Sequence, residues 1–306
     1  ICILPLESTH RTERFCEKLA REIDSQDQSL IISSDRLAML GAPVTEWRSD
    51  GSDALALAHW LHEKEDIHRF LLYLCDPENP SWTEFAMRQS DMILYVGDTG
   101  TRPDTRSWEL RAQERHGAAI ARRLLVLLQG PSDRAISGTA EWLEGRDFDF
   151  HVHVREDQPA DIGRVARIVS GHALGLVLAG GAARGFAHLG VYRAMQELGL
   201  PVDWIGGTSI GGIMGAALAS PRPLDEAVEL VRECFVAGKP FSDYTLPIVS
   251  LISGRRMDRL LRKHLDFNIE DLPTPFFCVS CHLYSGSMTV LERGNLADAV
   301  RAGASI

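Results

Sequence analysis

Along the first half of this 306-residue chain, short apolar runs alternate with longer amphipathic stretches, and that alternation limits the fold more than any other feature. Residues 1–6, 29–33, 69–75, 92–96 and 123–128 have the length and near-continuous apolarity of strands buried on both faces. Between them, residues 10–23 place Phe15, Leu19 and Ile23 at helical spacing. Residues 53–65, 82–89 and 107–116 also read as helices, 148–154 alternate as a strand, and 160–169 close with a helix. Strands alternating with helices imply parallel pairing in a layered α/β sheet. A handover near Ser170 divides the chain into an N-terminal parallel-sheet α/β domain, 1–170, and a second α/β domain, 171–306.

Composition removes several classes. With 45% hydrophobic and 24% charged residues, a largely disordered chain is excluded. No apolar run approaches the ~18 residues that a membrane-spanning helix needs. No basic segment precedes the first apolar run, so no signal peptide is expected. The chain starts without Met and is expected to be part of something longer. Residues 1–170 hold 20 Lys and Arg against 29 Asp and Glu, a net of −9, whereas residues 171–306 hold 12 against 13, a net of −1. The acidic half argues against nucleic acid as a partner. The near-neutral half can approach an anionic lipid surface with less repulsion. Six scattered cysteines suggest no disulfide framework and point to reduced thiols in the cytoplasm.

The first domain offers little chemistry. Its first strand runs into Glu7-Ser8-Thr9-His10, without the glycines that let a backbone approach a phosphate, so nucleotide binding is not expected there. His151 and His153 share one strand face, but no third ligand lies nearby, and a solvated face is the simpler reading. Cys278 and Cys281 form C-x-x-C, yet a strand would point them to opposite faces and no second pair exists. No metal or cofactor is expected.

The second domain is different. An apolar strand, residues 174–178, runs into Ala179-Gly180-Gly181-Ala182-Ala183-Arg184-Gly185 and then a helix, 186–198. A glycine loop that opens a helix aims backbone N–H groups and the positive helix end at one point, where a phosphate or a developing oxyanion would sit. Gly185 is followed by Phe186 and not by Lys-Ser/Thr, which argues against a phosphate-transfer loop. A purely structural turn stays open on this loop alone.

The next unit supplies the nucleophile. A strand expected over residues 202–205 leads through Gly206-Gly207-Thr208-Ser209-Ile210-Gly211-Gly212 into a helix expected from Ile213 to Ala219. Gly207-Thr208-Ser209-Ile210-Gly211 is a G-x-S-x-G elbow in its strand–turn–helix setting. The elbow exposes the Ser209 hydroxyl, and Gly207 and Gly211 let strand and helix approach closely. A serine needs a base. His264 and His282 are the histidines that follow it, and a triad esterase would use one of them. Neither lies in a glycine-rich loop at a strand end, so each reads first as an ordinary histidine. His188 reads as a residue that orients the glycine loop. A further stretch sets Leu246, Ile248, Val249, Leu251 and Ile252 beside Arg255, Arg256, Arg259, Arg262 and Lys263. It reads either as a surface for docking on an anionic membrane or as a buried segment followed by a solvated helix.

The block Gly180-Gly181-Ala182-Ala183-Arg184-Gly185 and the elbow around Ser209 resemble the patatin-like phospholipases, in particular the neuropathy target esterase branch with its bacterial members. Residues 243–247 and 253–256 are similar to that branch after its elbow, and residues 72–76 and 92–97 to the region before its lipase domain. The resemblance implies a patatin-like α/β hydrolase domain, incomplete at its C-terminus, that cleaves phospholipid or lysophospholipid at a membrane surface. It implies an oxyanion hole from Gly180, Gly181, Ala182, Arg184 and Gly185. It also implies a Ser–Asp dyad in which Ser209 is the nucleophile and the aspartate belongs to an Asp-Gly-Gly/Ala motif. No such motif follows Ser209 within residues 1–306, so the acid is expected beyond this chain and the chain alone is expected to be inactive. Asp298 lies before the motif's place and does not take the role. A cyclic-nucleotide-binding-like domain upstream is a further implication. A lipid-binding module with an inert elbow is the non-enzymatic alternative.

Overall fold

The computed structural model describes residues 1–7, 9–44, 47, 52–100, 121–131, 135–246 and 251–304. The helix expected over 107–116 lies outside the described residues, as do Ile248 and Val249. The chain divides into two units: residues 1–135 with 140–172, and residues 136–139 with 173–306.

In the first unit the elements follow in the order β1 (Cys2–Pro5), α1 (Thr9–Asp24), β2 (Ser29–Ile32), α2 (Ser52–Glu65), β3 (Phe70–Leu74), α3 (Pro80–Arg88), β4 (Met92–Asp98), β5 (Arg122–Gln129), α4 (Thr139–Leu143), β6 (Phe150–Arg155) and α5 (Pro159–Ser170). The six strands form one parallel sheet in the order β2-β3-β1-β4-β5-β6. Successive strand residues alternate between two cores. Leu124, Val126 and Leu128 pack with Phe15, Leu19 and Val165 from α1 and α5. Leu125 and Leu127 pack with Leu61, Trp82 and Trp142 from α2, α3 and α4. Helices therefore cover both faces, which is why the strands read as unbroken apolar runs. Helix α3 shows how local sequence sets an element. The Asn79 side chain accepts from the Trp82 N–H at 3.2 Å, Pro80 occupies the first turn, and the buried Trp82 indole donates to the Leu74 carbonyl at 2.9 Å. His153 departs from the expected solvated face. It is 1% exposed, and its Nδ1 lies 2.9 Å from the Gln129 amide nitrogen on the neighbouring strand, which satisfies the ring inside the unit.

The second unit contains β7 (Gly175–Leu178), a 3-10 turn (Ala182–Phe186), α6 (Ala187–Glu197), β8 (Trp204–Thr208), α7 (Ile210–Ala219), α8 (Leu224–Arg232), a π turn (Glu233–Ala237), α9 (Arg255–Leu265), β9 (Phe276–Cys281), β10 (Met288–Leu291) and α10 (Leu296–Gly303). Its sheet runs β10-β9-β8-β7, with β7, β8 and β9 parallel and β10 antiparallel. Every residue of α7 is buried. A helix apolar all round belongs inside a core. The carboxylate of fully buried Asp203 accepts the Leu174 N–H at 3.0 Å, while the Asp203 N–H donates back to the Leu174 carbonyl at 2.8 Å, tying the starts of β7 and β8 together.

Two expected boundaries move. The strand expected over 202–205 is found at Trp204–Thr208, and the helix expected from Ile213 starts at Ile210. Pairing of Gly206 and Gly207 with Phe277 and Cys278 on one side, and with Val177 and Leu178 on the other, carries the strand through glycines that disfavour strands in isolation. Ser209 thus stands alone between strand and helix.

Candidate active site

Ser209 has φ 52° and ψ −128°, a conformation that non-glycine residues avoid and that costs about 1–3 kcal/mol unless the surroundings impose it. The surroundings here are glycine contacts. A β-carbon on Gly207 would run into the backbone of Gly211 and Gly212, and one on Gly211 would run into the Leu178 carbonyl. The chain therefore turns from β8 into α7 within one residue, and the serine side chain is left half-buried at the carboxyl end of the strand.

Strand β7 lies beside β8 with Leu178 opposite Gly207, so the loop that leaves β7 arises next to the turn that leaves β8. Two contacts seat this glycine loop on the elbow. Gly180 faces Ser209, since a β-carbon there would lie 3.3 Å from Ser209 Cβ and 3.9 Å from its Oγ. Gly185 is buried against Ile210, with room for no side chain: its β-carbon would stand 2.6 Å from Ile210 Cγ1. Ala182 is a second non-glycine residue at positive φ, 50°. The Arg184 N–H closes the turn onto the Gly181 carbonyl at 3.1 Å. His188 Nε2 lies 2.9 Å from the Ala179 carbonyl, which gives the histidine the loop-orienting place expected of it. The first N–H groups of a helical turn have no acceptor within it, and here they belong to Ala182 and Ala183, two and three residues after Gly180. Gly180 is thus brought to Ser209, and Gly185 to Ile210, while Gly181 packs against Arg184. The Arg184 side chain is exposed and makes no hydrogen bond among the described residues. Thr208 is exposed at the strand end.

The candidate bases lie elsewhere. His264, 17% exposed, has its Nε2 3.3 Å from Glu233 Oε2. Lys263 and His264 together hold the Glu233 carboxyl below the usual range, the Lys263 hydrogen bond at 2.5 Å being the main cause. His282 stands in the exposed β9–β10 turn with Nδ1 2.8 Å from Ser285 Oγ, one residue beyond the end of β9 at Cys281. Asp298 is paired with Arg262 across α10 and α9. Among the described residues no side chain is hydrogen-bonded to Ser209 Oγ. Cys278 is buried, its thiol pushed up to about 11 by burial, while Cys281 is exposed. Among the described residues no group of three His, Cys, Asp or Glu side chains could hold a metal, and no helix is long and apolar enough to cross a membrane.

One neighbour of the site was not legible in the sequence. Phe235, in the π turn, packs edge-on against Phe186 with ring centroids 6.4 Å apart, so the turn after α8 flanks the glycine loop. No local pattern announces a π turn, and only the tertiary contact reveals it.

Residues 1–172 match the neuropathy target esterase family P-loop-like domain, and residues 176–306 match the patatin-like phospholipase family. Human (Homo sapiens) patatin-like phospholipase domain-containing protein 6 is 32% identical over 338 residues, covering 100% of this chain and 24% of that protein. Patatin-like phospholipase domain-containing protein 7 of Rattus norvegicus is 32% identical, with 100% and 25% covered. Neuropathy target esterase sws of Drosophila melanogaster is 29% identical, with 100% and 23% covered. The chain spans about a quarter of the length of these relatives. It belongs to the neuropathy target esterase family, with a P-loop-like unit followed by a patatin-like phospholipase domain.

Proposed function

We propose that this protein is a serine acyl-ester hydrolase acting on phospholipid or lysophospholipid, with Ser209 as nucleophile. The observation that carries the reading is the strained Ser209 backbone with Gly180 so near that a β-carbon on the glycine would lie 3.3 Å from Ser209 Cβ. Ser209 Oγ attacks the ester carbonyl, and the backbone N–H groups near Gly181 and Ala182 hold the oxyanion of the tetrahedral intermediate. Each such donor contributes roughly 3 kcal/mol to the transition state. The intermediate collapses to an acyl-enzyme and releases the alcohol, and water then releases the fatty acid.

The base in this reading is an aspartate outside residues 1–306, in a Ser–Asp dyad. Neither His264, beside Glu233, nor His282, beside Ser285, is hydrogen-bonded to Ser209 Oγ among the described residues, which supports the dyad over a triad. Residues 1–306 alone would then lack turnover, because a serine without its base loses several orders of magnitude in rate. The whole protein is read as cytoplasmic and peripheral at the inner membrane face, with further domains upstream that include a cyclic-nucleotide-binding-like one. Six cysteines without disulfides fit a reducing compartment.

A fluorophosphonate probe tests the nucleophile. The whole protein should be labelled at Ser209, and the Ser209→Ala variant should not. Labelling that persists in the variant sinks the assignment, and a folded whole protein that takes no label favours the inert lipid-binding module. Separate His264→Ala and His282→Ala variants that keep full turnover remove the triad.

A further inference from the structure

Beyond the π turn, the second unit builds a two-stranded ribbon. Tyr244 bridges Ile252 in the antiparallel sense. The Thr245 N–H donates to the Leu251 carbonyl, and the Ser253 N–H to the Asp243 carbonyl, each at 3.0 Å. Residues directly opposed in an antiparallel pair share a face, and successive residues alternate. Tyr244 and Leu246 therefore stand on one face and Leu251 on the other. Their exposures are 71%, 78% and 60%, so both faces of a thin ribbon carry large apolar side chains into solvent. Phe241, just before the ribbon, is exposed as well.

The base of the ribbon is cationic. The Asp243 carboxylate accepts from Ser253 Oγ at 2.7 Å and from the Arg256 N–H at 3.0 Å, which fixes the ribbon to the first turn of α9. Arg255, Arg256 and Arg259 are exposed on that helix, and none has an acidic partner among the described residues. An exposed apolar ribbon is thus followed directly in the chain by exposed arginines, one of which, Arg256, is tied to it through Asp243 and Ser242. An apolar patch on one face fits a groove in another protein. Apolar side chains on both faces call for a medium that surrounds the ribbon, and the charge order matches acyl chains beneath an anionic headgroup layer.

We infer that the ribbon formed by residues 241–246 and 251–254 is an anchor that inserts Tyr244, Leu246 and Leu251 into the acyl layer of an anionic bilayer, with Arg255, Arg256 and Arg259 on the headgroups. The inference deepens the lipid-hydrolase reading and rests on it for its purpose, but its test does not use turnover. The π turn that packs Phe235 on Phe186 connects directly to this ribbon, which places the anchor next in the chain to the glycine loop's neighbour.

Co-sedimentation of the whole protein with vesicles decides the matter. Binding to phosphatidylcholine vesicles that contain phosphatidylserine should exceed binding to phosphatidylcholine alone. The paired substitution Leu246→Asp with Leu251→Asp should weaken binding at least about tenfold. The pair Arg255→Ala with Arg259→Ala should weaken it about fivefold for each arginine and remove the preference for anionic vesicles. A conservative Leu246→Trp variant guards against misfolding: its added emission should be quenched by brominated acyl chains. Absence of vesicle binding, equal binding to both vesicle types, unchanged binding by the variants, or an unquenched Trp overturns the inference. A dimer that dissociates when Leu246 is replaced, without vesicle binding, assigns the ribbon to a second copy instead. The Ser209→Ala variant separates the two proposals. It should still bind vesicles, so its loss of probe labelling speaks to the nucleophile alone.

Discussion

Gly180 and Ser209 face one another so closely that a β-carbon on the glycine would stand 3.3 Å from the serine Cβ and 3.9 Å from its hydroxyl oxygen. That gap is tighter than ordinary van der Waals contact, and the atoms that would have to give way are the serine's own. In the whole protein, Gly180→Ala should lower turnover by roughly a hundredfold, the scale of a misplacement near 1 Å at reacting atoms. Thermal unfolding should change little, because Gly180 is exposed. A variant with normal turnover would separate the glycine loop from the chemistry.

Gly211 should behave in the opposite way. Its missing side chain lets α7 approach the backbone of β7 at the Leu178 carbonyl, and backbone cannot step aside as a flexible side chain can. Gly211→Ala should therefore destabilise the second unit by roughly 1–3 kcal/mol or more. Denaturant titration read by circular dichroism measures this, and an unchanged midpoint would contradict the packing described.

Replacing the serine by glycine should stabilise the fold. Glycine adopts φ 52° without the steric penalty that a β-carbon meets. Ser209→Gly is expected to raise stability by about 1 kcal/mol while it abolishes probe labelling. Ser209→Ala should also lose labelling but gain no stability. Equal midpoints for the two variants would mean that the elbow is not strained.

The thiols give a chemical map. Burial pushes Cys16 up to about 12 and Cys234 and Cys278 to about 11, against an ordinary value of 9.0. Cys281 is exposed. Alkylation of the native protein near neutral pH should modify Cys281 well before the other three, as peptide mass spectrometry would show. The same shifts carry a stability sign. Between pH 9 and the raised values, the unfolded chain loses thiol protons that the folded one keeps, so stability falls as pH rises through that window. Cys278→Ala should flatten the alkaline limb, and a limb as steep as before would remove Cys278 from its cause.

Much of the fold was legible because buried parallel strands leave unbroken apolar runs, as residues 92–96 and 123–128 do. The limits of β8 were not, since Gly206 and Gly207 are strand-poor residues held in the ladder by partners on both sides. His153 misled for a similar reason: its partner, Gln129, comes from another strand. At the site, the residue types around Ser209 were readable, but their meeting was not. Gly180 reaches Ser209 only because β7 and β8 are neighbours, and adjacency of strands is a tertiary fact. The contact between Phe186 and Phe235 and the exposure of the ribbon are of the same kind.

Helix α7, enclosed along its whole length, leaves the elbow mounted on a spine without a wet side. Such a spine offers no position where chance substitutions are free. Divergence between homologues should then gather in the surrounding loops while the mount itself stays fixed.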